Sequence, residues 1–163
     1  MSEVCTFTIR RWQPDDSAAL ADIFARAVRE TASRDYRPAQ IEAWVAGPAD
    51  WAARLGTSVT FVAVERGIAD EAGRPIGFMQ YEPPTRIDMA YVSPARQRRG
   101  VASALLAALE AEAKTRQIKV LNVEASITSR PFFAGHGFSL LTPQIVRVRG
   151  QEFLNYRMQK KLA

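Results

Sequence analysis

A strand, a turn and a helix follow one another directly between residues 86 and 115, and another strand comes immediately after them. Residues 86–92 predict the first strand, residues 100–115 carry apolar side chains at helical spacing, and residues 118–125 return to strand alternation. A strand–helix–strand unit in the middle of a chain is typical of a mixed α/β domain. The unit therefore predicts an α/β fold.

Elements of both kinds flank this unit. The predicted strands are residues 6–12, 59–65, 76–82, 86–92, 118–125, 145–149 and 153–158. The predicted helices begin near residues 17, 38, 50, 100 and 129. Residues 67–74 contain two glycines and predict a hairpin loop.

The size and composition of the chain indicate one globular domain. It has 163 residues, 47% of them hydrophobic and 24% charged, so we expect a single domain over residues 1–163. No apolar run is long enough to cross a bilayer, and residues 1–5 lack the features of a secretory signal. We expect a cytoplasmic protein with no membrane partner.

Single copies of cysteine and histidine limit the possible chemistry. Cys5 has no partner for an intrachain disulfide, and its apolar surroundings favour a buried place in the first strand over a nucleophilic role. His136 alone does not form a histidine-rich metal site, and it makes a Ser-His-Asp hydrolase hard to build. We therefore expect no metal.

The net charge of +5 suits a polyanion such as nucleic acid or a phosphorylated cofactor. A solvated basic surface explains the same charge. No known DNA- or RNA-reading motif is present, so no nucleic acid partner is expected.

The turn over residues 93–102 is a candidate anion site because the helix starts directly after it. A helix N-terminus presents unpaired N–H groups and a partial positive charge, which favour anions. Gly100 has no Cβ and lets the backbone approach a phosphate closely, and Ala102 keeps the first helical turn small. Arginines at 96, 98 and 99 add positive charge. Arg-rich turns without a ligand are also common, and neither GxGxxG nor a P-loop sequence occurs here.

Two sequence blocks resemble the GNAT superfamily of acyltransferases. Gln97-x-x-Gly100-x-Ala102 fits its Q/R-x-x-G-x-G/A motif, and residues 130–138 look like its F-Y-x-x-x-G-F segment. Residues 35–44 resemble a segment of small bacterial GNAT proteins whose substrates are mostly unassigned. The resemblance covers residues from about 7 to 162. It implies a mixed, mostly antiparallel sheet of about seven strands with flanking helices and splayed central parallel strands.

The resemblance also implies that acetyl-CoA is bound. Backbone N–H groups of the turn would hold its pyrophosphate, with two arginines beside it, and the pantetheine arm would lie along strand 86–92. Ser126 stands where many members have an Asn that touches the cofactor, and two phenylalanines would wall the thiol. The implied cofactor-binding residues are Tyr91, Val92, Gln97, Arg98, Arg99, Gly100, Val101, Ala102, Ser103, Ser126, Phe132 and Phe133.

The implied reaction is direct attack of an amine on the thioester. The family's backbone donor to the thioester carbonyl falls at Ala90. Strand alternation places Asn122 and Glu124 on one face at the splayed strand end, so Glu124 is the candidate general base, directly or through water. The alternative is that Glu124 caps the next helix or pairs with an Arg.

Phe133 departs from the family pattern, because many members have there a Tyr that protonates the leaving thiolate. A thiol has a pKa of about 8.5, so the thiolate can leave without much help. Otherwise Tyr91, Tyr156 or a water supplies the proton. Packing is the competing explanation for Tyr91.

The leading hypothesis is an N-acetyltransferase that uses acetyl-CoA and acts on a small-molecule amine, as a monomer or a homodimer. A protein or peptide acetyltransferase and a non-catalytic acyl-CoA-binding sensor are the alternatives.

Overall fold

The computed structural model describes residues 6–67 and 73–163, which form one seven-stranded sheet. The strands are β1 (Phe7–Arg11), β2 (Val59–Glu65), β3 (Arg74–Glu82), β4 (Arg86–Val92), β5 (Val120–Ser126), β6 (Ser139–Val148) and β7 (Gln151–Lys161). Their order is β1-β2-β3-β4-β5-β7-β6, and only β4 and β5 pair in parallel. The predicted α/β fold with a mixed, mostly antiparallel sheet is confirmed.

Helices cover both faces of the sheet. They are α1 (Ser17–Arg26), α2 (Pro38–Val45), α3 (Trp51–Gly56), α4 (Val101–Thr115) and α5 (Arg130–Gly135), and a π-helical turn, Ala27–Thr31, continues α1. Local chemistry explains their starts: Pro38 occupies the first position of α2, and the Asp50 carboxylate accepts a hydrogen bond from Ala53 N–H at 3.1 Å before α3. No helix in the described ranges is both long enough and apolar enough to span a membrane.

Two apolar cores lie on opposite faces of the sheet. We call the side covered by α4 and α5 the α4 face, and the side covered by α1, α2 and α3 the α1 face. Gly77 in β3 lets α4 approach closely, since a Cβ there would lie 3.1 Å from Val101 Cγ1 and 3.4 Å from Leu105 Cδ1. A side chain at this position would therefore push the start of α4 away from the sheet.

The last two strands are longer than the predicted 145–149 and 153–158. β6 lies at the edge of the sheet and is mostly exposed, so its sequence carries little alternation. An extra residue at Leu141 interrupts its register with β7 and hides the periodicity further.

Two of the predictions concern residues outside the described part of the chain. Cys5 lies outside it, and so do residues 68–72 of the predicted hairpin loop.

Candidate active site

β4 contains a β-bulge at Asp88. Gln80 of β3 pairs with Met89 and Tyr81 pairs with Ile87, so Asp88 is an extra residue on β4. The bulge reverses the side-chain alternation: Ile87 packs in the core of the α4 face, whereas Met89 packs in the core of the α1 face.

The bulge also decides which backbone groups of β4 point away from β3. Beyond it, Ser93 N–H donates to Ile76 O of β3 at 2.8 Å. Because backbone groups alternate along a strand, those of Ala90 and Val92 point to the other edge, towards β5. Val92 O accepts a hydrogen bond there from Gln97 Nε2 at 3.2 Å, which agrees with this direction.

β4 and β5 pair only through Arg86 with Asn122 and Ile87 with Val123, which are the first two residues of β4 and the third and fourth of β5. Beyond these two pairs the strands diverge, and a cavity of about 270 Å³ fills the gap. The predicted splayed parallel strands are therefore present. The backbone edge of β4 at Ala90 faces this gap instead of a neighbouring strand.

Both faces of the sheet line this cavity. The α4 face contributes Gln97, Ala102, Leu105, Phe132 and Phe133, and the α1 face contributes Ala27, Val28, Thr31, Ala32 and Trp44. β4 and β5 themselves contribute Asp88, Ala90, Tyr91, Val92, Glu124 and Ser126. The cavity therefore joins the two sides of the sheet at the point where it splits.

The turn before α4 has the backbone form that an anion site needs. Gly100 is the residue before the helix, with φ +78°, and a Cβ added there would meet no atom within 4 Å. The first intrahelical bond runs from Ala104 N–H to Gly100 O at 3.0 Å. The N–H groups of residues 101–103 consequently lack intrahelical acceptors.

The arginines of this turn differ in their surroundings. Arg96 Nε lies 2.7 Å from Glu65 Oε2, so Arg96 is tied to β2. Arg98 and Arg99 are exposed and form no ion pair within residues 6–67 and 73–163. These two guanidinium groups can therefore meet a ligand.

Glu124 lies at the mouth of the gap on β5. The Leu121, Val123 and Ala125 side chains enter the core of the α4 face, so that of Glu124 projects to the α1 face. The Glu124 side chain is 45% exposed, and its Oε2 lies 3.9 Å from Arg86 Nη2. This long, partly solvated contact leaves the carboxylate able to accept another hydrogen bond.

Asp88 is a cavity residue that the sequence analysis missed. Its side chain is only 10% exposed; it pairs with Arg54, and its Oδ1 lies 3.2 Å from Arg86 Nη2. The bulge that places Asp88 here depends on pairing with β3. The only signal in the sequence was one acidic residue inside an otherwise apolar stretch.

Tyr91 projects to the α1 face and lines the cavity. Its phenol oxygen accepts a hydrogen bond from Trp44 Nε1 at 3.1 Å, and Phe24 packs edge-on against its ring at 5.0 Å. Burial raises the pKa of Tyr91 to about 12, so the phenol keeps its proton at neutral pH.

Comparison with known proteins identifies the family. A family model described as an acetyltransferase (GNAT) domain matches residues 32–160. The chain belongs to the GNAT acetyltransferase family. The GNAT chain is 41% identical over 154 residues to the uncharacterized N-acetyltransferase YafP of Escherichia coli (strain K12), covering 94% of this chain and 95% of that protein.

Solved structures agree with the family. A GCN5-related N-acetyltransferase from Rhodopseudomonas palustris superposes on this GNAT chain with a TM-score of 0.89 and 33% identity, over 99% of both chains. The yncA protein of Salmonella typhimurium, solved with its cofactor acetyl-CoA, has a TM-score of 0.69 and 21% identity over 96% of this chain and 94% of that one. The family match establishes the predicted N-acetyltransferase identity, and the Rhodopseudomonas palustris structure supports it. The Salmonella typhimurium structure supports the fold.

The other predicted site residues of this GNAT enzyme lie either at the cavity or in the turn at the start of α4. Ser126 Oγ lies 3.0 Å from Ser129 Oγ and accepts a hydrogen bond from Ser129 N–H at 3.0 Å. Phe132 and Phe133 pack edge-on against each other at 5.1 Å and both line the cavity. Arg98, Arg99, Gly100, Val101 and Ser103 do not line it but lie in or next to the turn at the start of α4.

His136 makes contacts that its position in the sequence did not predict. Its Nε2 lies 2.9 Å from Ser103 Oγ, and its Nδ1 lies 2.8 Å from Phe132 O. A carbonyl only accepts, so Nδ1–H donates to Phe132 and a neutral ring accepts from Ser103. His136 thus connects the first turn of α4 with α5.

Proposed function

We propose that this GNAT enzyme transfers an acetyl group from acetyl-CoA to a primary amine of a small molecule, in the cavity between β4 and β5. The observation that carries this proposal is that a carboxylate, Glu124, and an unpaired backbone edge, at Ala90, line the same gap from its two strands. Direct acyl transfer needs a proton acceptor for the amine and a hydrogen-bond donor for the carbonyl oxygen. The cavity offers both.

The start of α4 fits the pyrophosphate of acetyl-CoA. Its free N–H groups at residues 101–103, the open space at Gly100 and the exposed Arg98 and Arg99 suit a polyanion. We infer that residues 97–103 hold the pyrophosphate. The cavity then continues to the thioester between β4, at Tyr91 and Val92, and the side chains of Ser126, Phe132 and Phe133.

Side chains of this enzyme, with water as the alternative relay, provide a route for each proton in the reaction. Ala90 N–H donates to the thioester oxygen and stabilises the negative charge that develops there. Glu124 accepts the proton of the attacking amine, directly or through one water. As the carbon–nitrogen bond forms, the carbon–sulfur bond breaks, and Tyr91 or a water donates a proton to the departing sulfur. A thiol with a pKa of about 8.5 needs little help in leaving.

The size and lining of the cavity favour a small acceptor. Its volume of about 270 Å³ is near the lower end of ligand pockets. The acceptor side is formed by small and aromatic side chains of the α1 face, which leave room for a compact amine. We also propose that residues 1–163 act as one domain, as a monomer or a homodimer and without nucleic acid.

A thiol-release assay with acetyl-CoA and a panel of amines, amino acids and polyamines tests this proposal. We expect CoA release that depends on the amine, with one acetyl group added to the product by mass spectrometry. Release with peptides alone would indicate a protein acetyltransferase. Tight acetyl-CoA binding without turnover on any acceptor would indicate a sensor.

A further inference from the structure

Residues 35–44, which we call the bridge segment, are connected to both sides of the gap between β4 and β5. On the β4 side, Trp44 Nε1 donates to the phenol oxygen of Tyr91 at 3.1 Å. Trp44 also lines the cavity. The end of the bridge segment is therefore fixed to the strand along which we place acetyl-CoA.

The other end of the bridge segment is fixed to the turn that follows β5. The Tyr36 hydroxyl accepts a hydrogen bond from Ile127 N–H at 2.9 Å and donates to Leu154 O of β7 at 3.0 Å. Asp35 Oδ2 accepts a hydrogen bond from Thr128 Oγ1 at 2.8 Å. The bonds to Ile127 and Thr128 join the bridge segment to this turn, and the bond to Leu154 joins it to β7; the turn lies beyond the two residue pairs that connect β5 with β4.

Two aromatic rings connect the ends of the bridge segment. Tyr36 and Trp44 pack edge-on with their ring centres 5.4 Å apart, and Phe153 of β7 lies against both rings. The bridge segment is thus a packed link across the split in the sheet.

The turn held by Tyr36 leads directly into α5. Only residues 127–129 separate β5 from α5, and Phe133 N–H donates to Ser129 O at 3.2 Å. The position of this turn therefore sets the position of α5. Through α5 it sets the two aromatic side chains, Phe132 and Phe133, that line the cofactor side of the cavity.

We infer that Tyr36 is a positioning residue for acetyl-CoA, because its hydroxyl holds the turn at 127–129 and so fixes the wall formed by Phe132 and Phe133. Tyr36 is 8% exposed and does not line the cavity, so its hydroxyl reaches the cavity wall indirectly, through this turn. The bridge segment comes shortly after Thr31 and Ala32 in the chain, which line the cavity on the α1 face, where we place the acceptor. The bridge segment thereby couples these two residues to Phe132 and Phe133 on the α4 face. This inference rests on the proposed placement of acetyl-CoA in the cavity.

Calorimetric titration of acetyl-CoA tests the inference without an acceptor. Tyr36→Phe keeps the ring contacts and removes both hydrogen bonds of the hydroxyl, and we expect it to raise the Kd about tenfold, equivalent to about 1.4 kcal/mol. The matched control is Tyr81→Phe, which removes the hydroxyl of another buried tyrosine that bonds Pro84 O. This control is expected to lose stability in the same way and to bind acetyl-CoA like the wild type.

Asp35→Ala supplies a second variant at an exposed position, for which we expect a smaller rise of about threefold in Kd, because its hydrogen bond to Thr128 is itself exposed. If Tyr36→Phe does not fold, the acetyl-CoA affinity of Asp35→Ala alone tests the inference. Wild-type affinity in the folded variants would overturn the inference while leaving the proposed function intact. A wild-type protein that binds no acetyl-CoA in the same titration would overturn both.

Discussion

Arg86 Nη2 on β4 lies 3.9 Å from Glu124 Oε2 on β5, one residue beyond the last of the two residue pairs that join the strands. The same nitrogen lies 3.2 Å from Asp88 Oδ1. Arg86 Nη1 lies 3.2 Å from Glu82 Oε2, so one guanidinium contacts three carboxylates, two of which, Asp88 and Glu124, line the cavity. The Asp88 carboxylate is more buried than that of Glu124 and lies closer to the Arg86 guanidinium. Glu124 is therefore held more weakly, and its carboxylate is available to the acceptor amine.

The first prediction concerns Glu124. A general base contributes about 10²–10⁴-fold, so Glu124→Gln is expected to lower kcat/KM by roughly that factor at neutral pH while acetyl-CoA affinity hardly changes. The loss should shrink at high pH, where the free amine is already neutral. Steady-state kinetics with the acceptor found in the thiol-release assay measure both effects. Full activity of this variant at neutral pH would refute the assignment and favour an ordered water.

The second prediction concerns Gly100, and the chain offers a closely matched control. Gly100 has φ +78° and Gly150 has φ +80°, and a Cβ at either position would meet no atom within 4 Å. Gly100→Val and Gly150→Val should therefore cost similar backbone strain, about 1–2 kcal/mol. Calorimetry should show that only Gly100→Val abolishes acetyl-CoA binding. Equal affinity of the two variants would remove the turn from the cofactor site.

The third prediction concerns the charge beside this turn. If Arg98 and Arg99 meet phosphates, acetyl-CoA affinity should fall as salt rises, because exposed ion pairs are screened. Replacing both by Ala should flatten that dependence, whereas Arg147→Ala, at an exposed position on the edge strand β6, should leave it unchanged. Titrations at several ionic strengths provide the measurement. A wild-type affinity that does not vary with salt would mean that these arginines form only a solvated surface.

The fourth prediction follows from the pKa of Tyr91, which burial raises from 10.0 to about 12. The folded state holds this proton more tightly than the unfolded state does, so the contribution of Tyr91 to stability is complete below about pH 10 and is lost as the pH rises towards 12. Denaturant unfolding between pH 9 and 11 should therefore show a steeper loss for the wild type than for Tyr91→Phe. Parallel curves would show that Tyr91 titrates alike in both states.

Sequence reasoning predicted the parts of the site that depend on local chemistry. The strand at 59–65 and the start of α4 follow from β-branched residues and from Gly100, whose backbone needs no distant partner. Asp88 and the full length of β6 escaped it, because a bulge and an edge strand are defined only by pairing with a neighbour. The hydrogen bonds of Tyr36 to residues 127 and 154 are equally invisible, since the partners lie about a hundred residues away.

The bulge at Asp88 makes the register of β4 a chemical requirement. If the bulge closed with Asp88 retained, Asp88 would pair with Gln80, every later residue of β4 would move one partner along β3, and the backbone groups of Ala90 and Val92 would turn towards β3. The side chains of Met89 and Tyr91 would move from the α1 face to the α4 face, and Tyr91 would lose its hydrogen bond from Trp44. A slip of one residue would thus keep the sheet paired and the strand at its full length while closing the backbone edge on which we place the thioester.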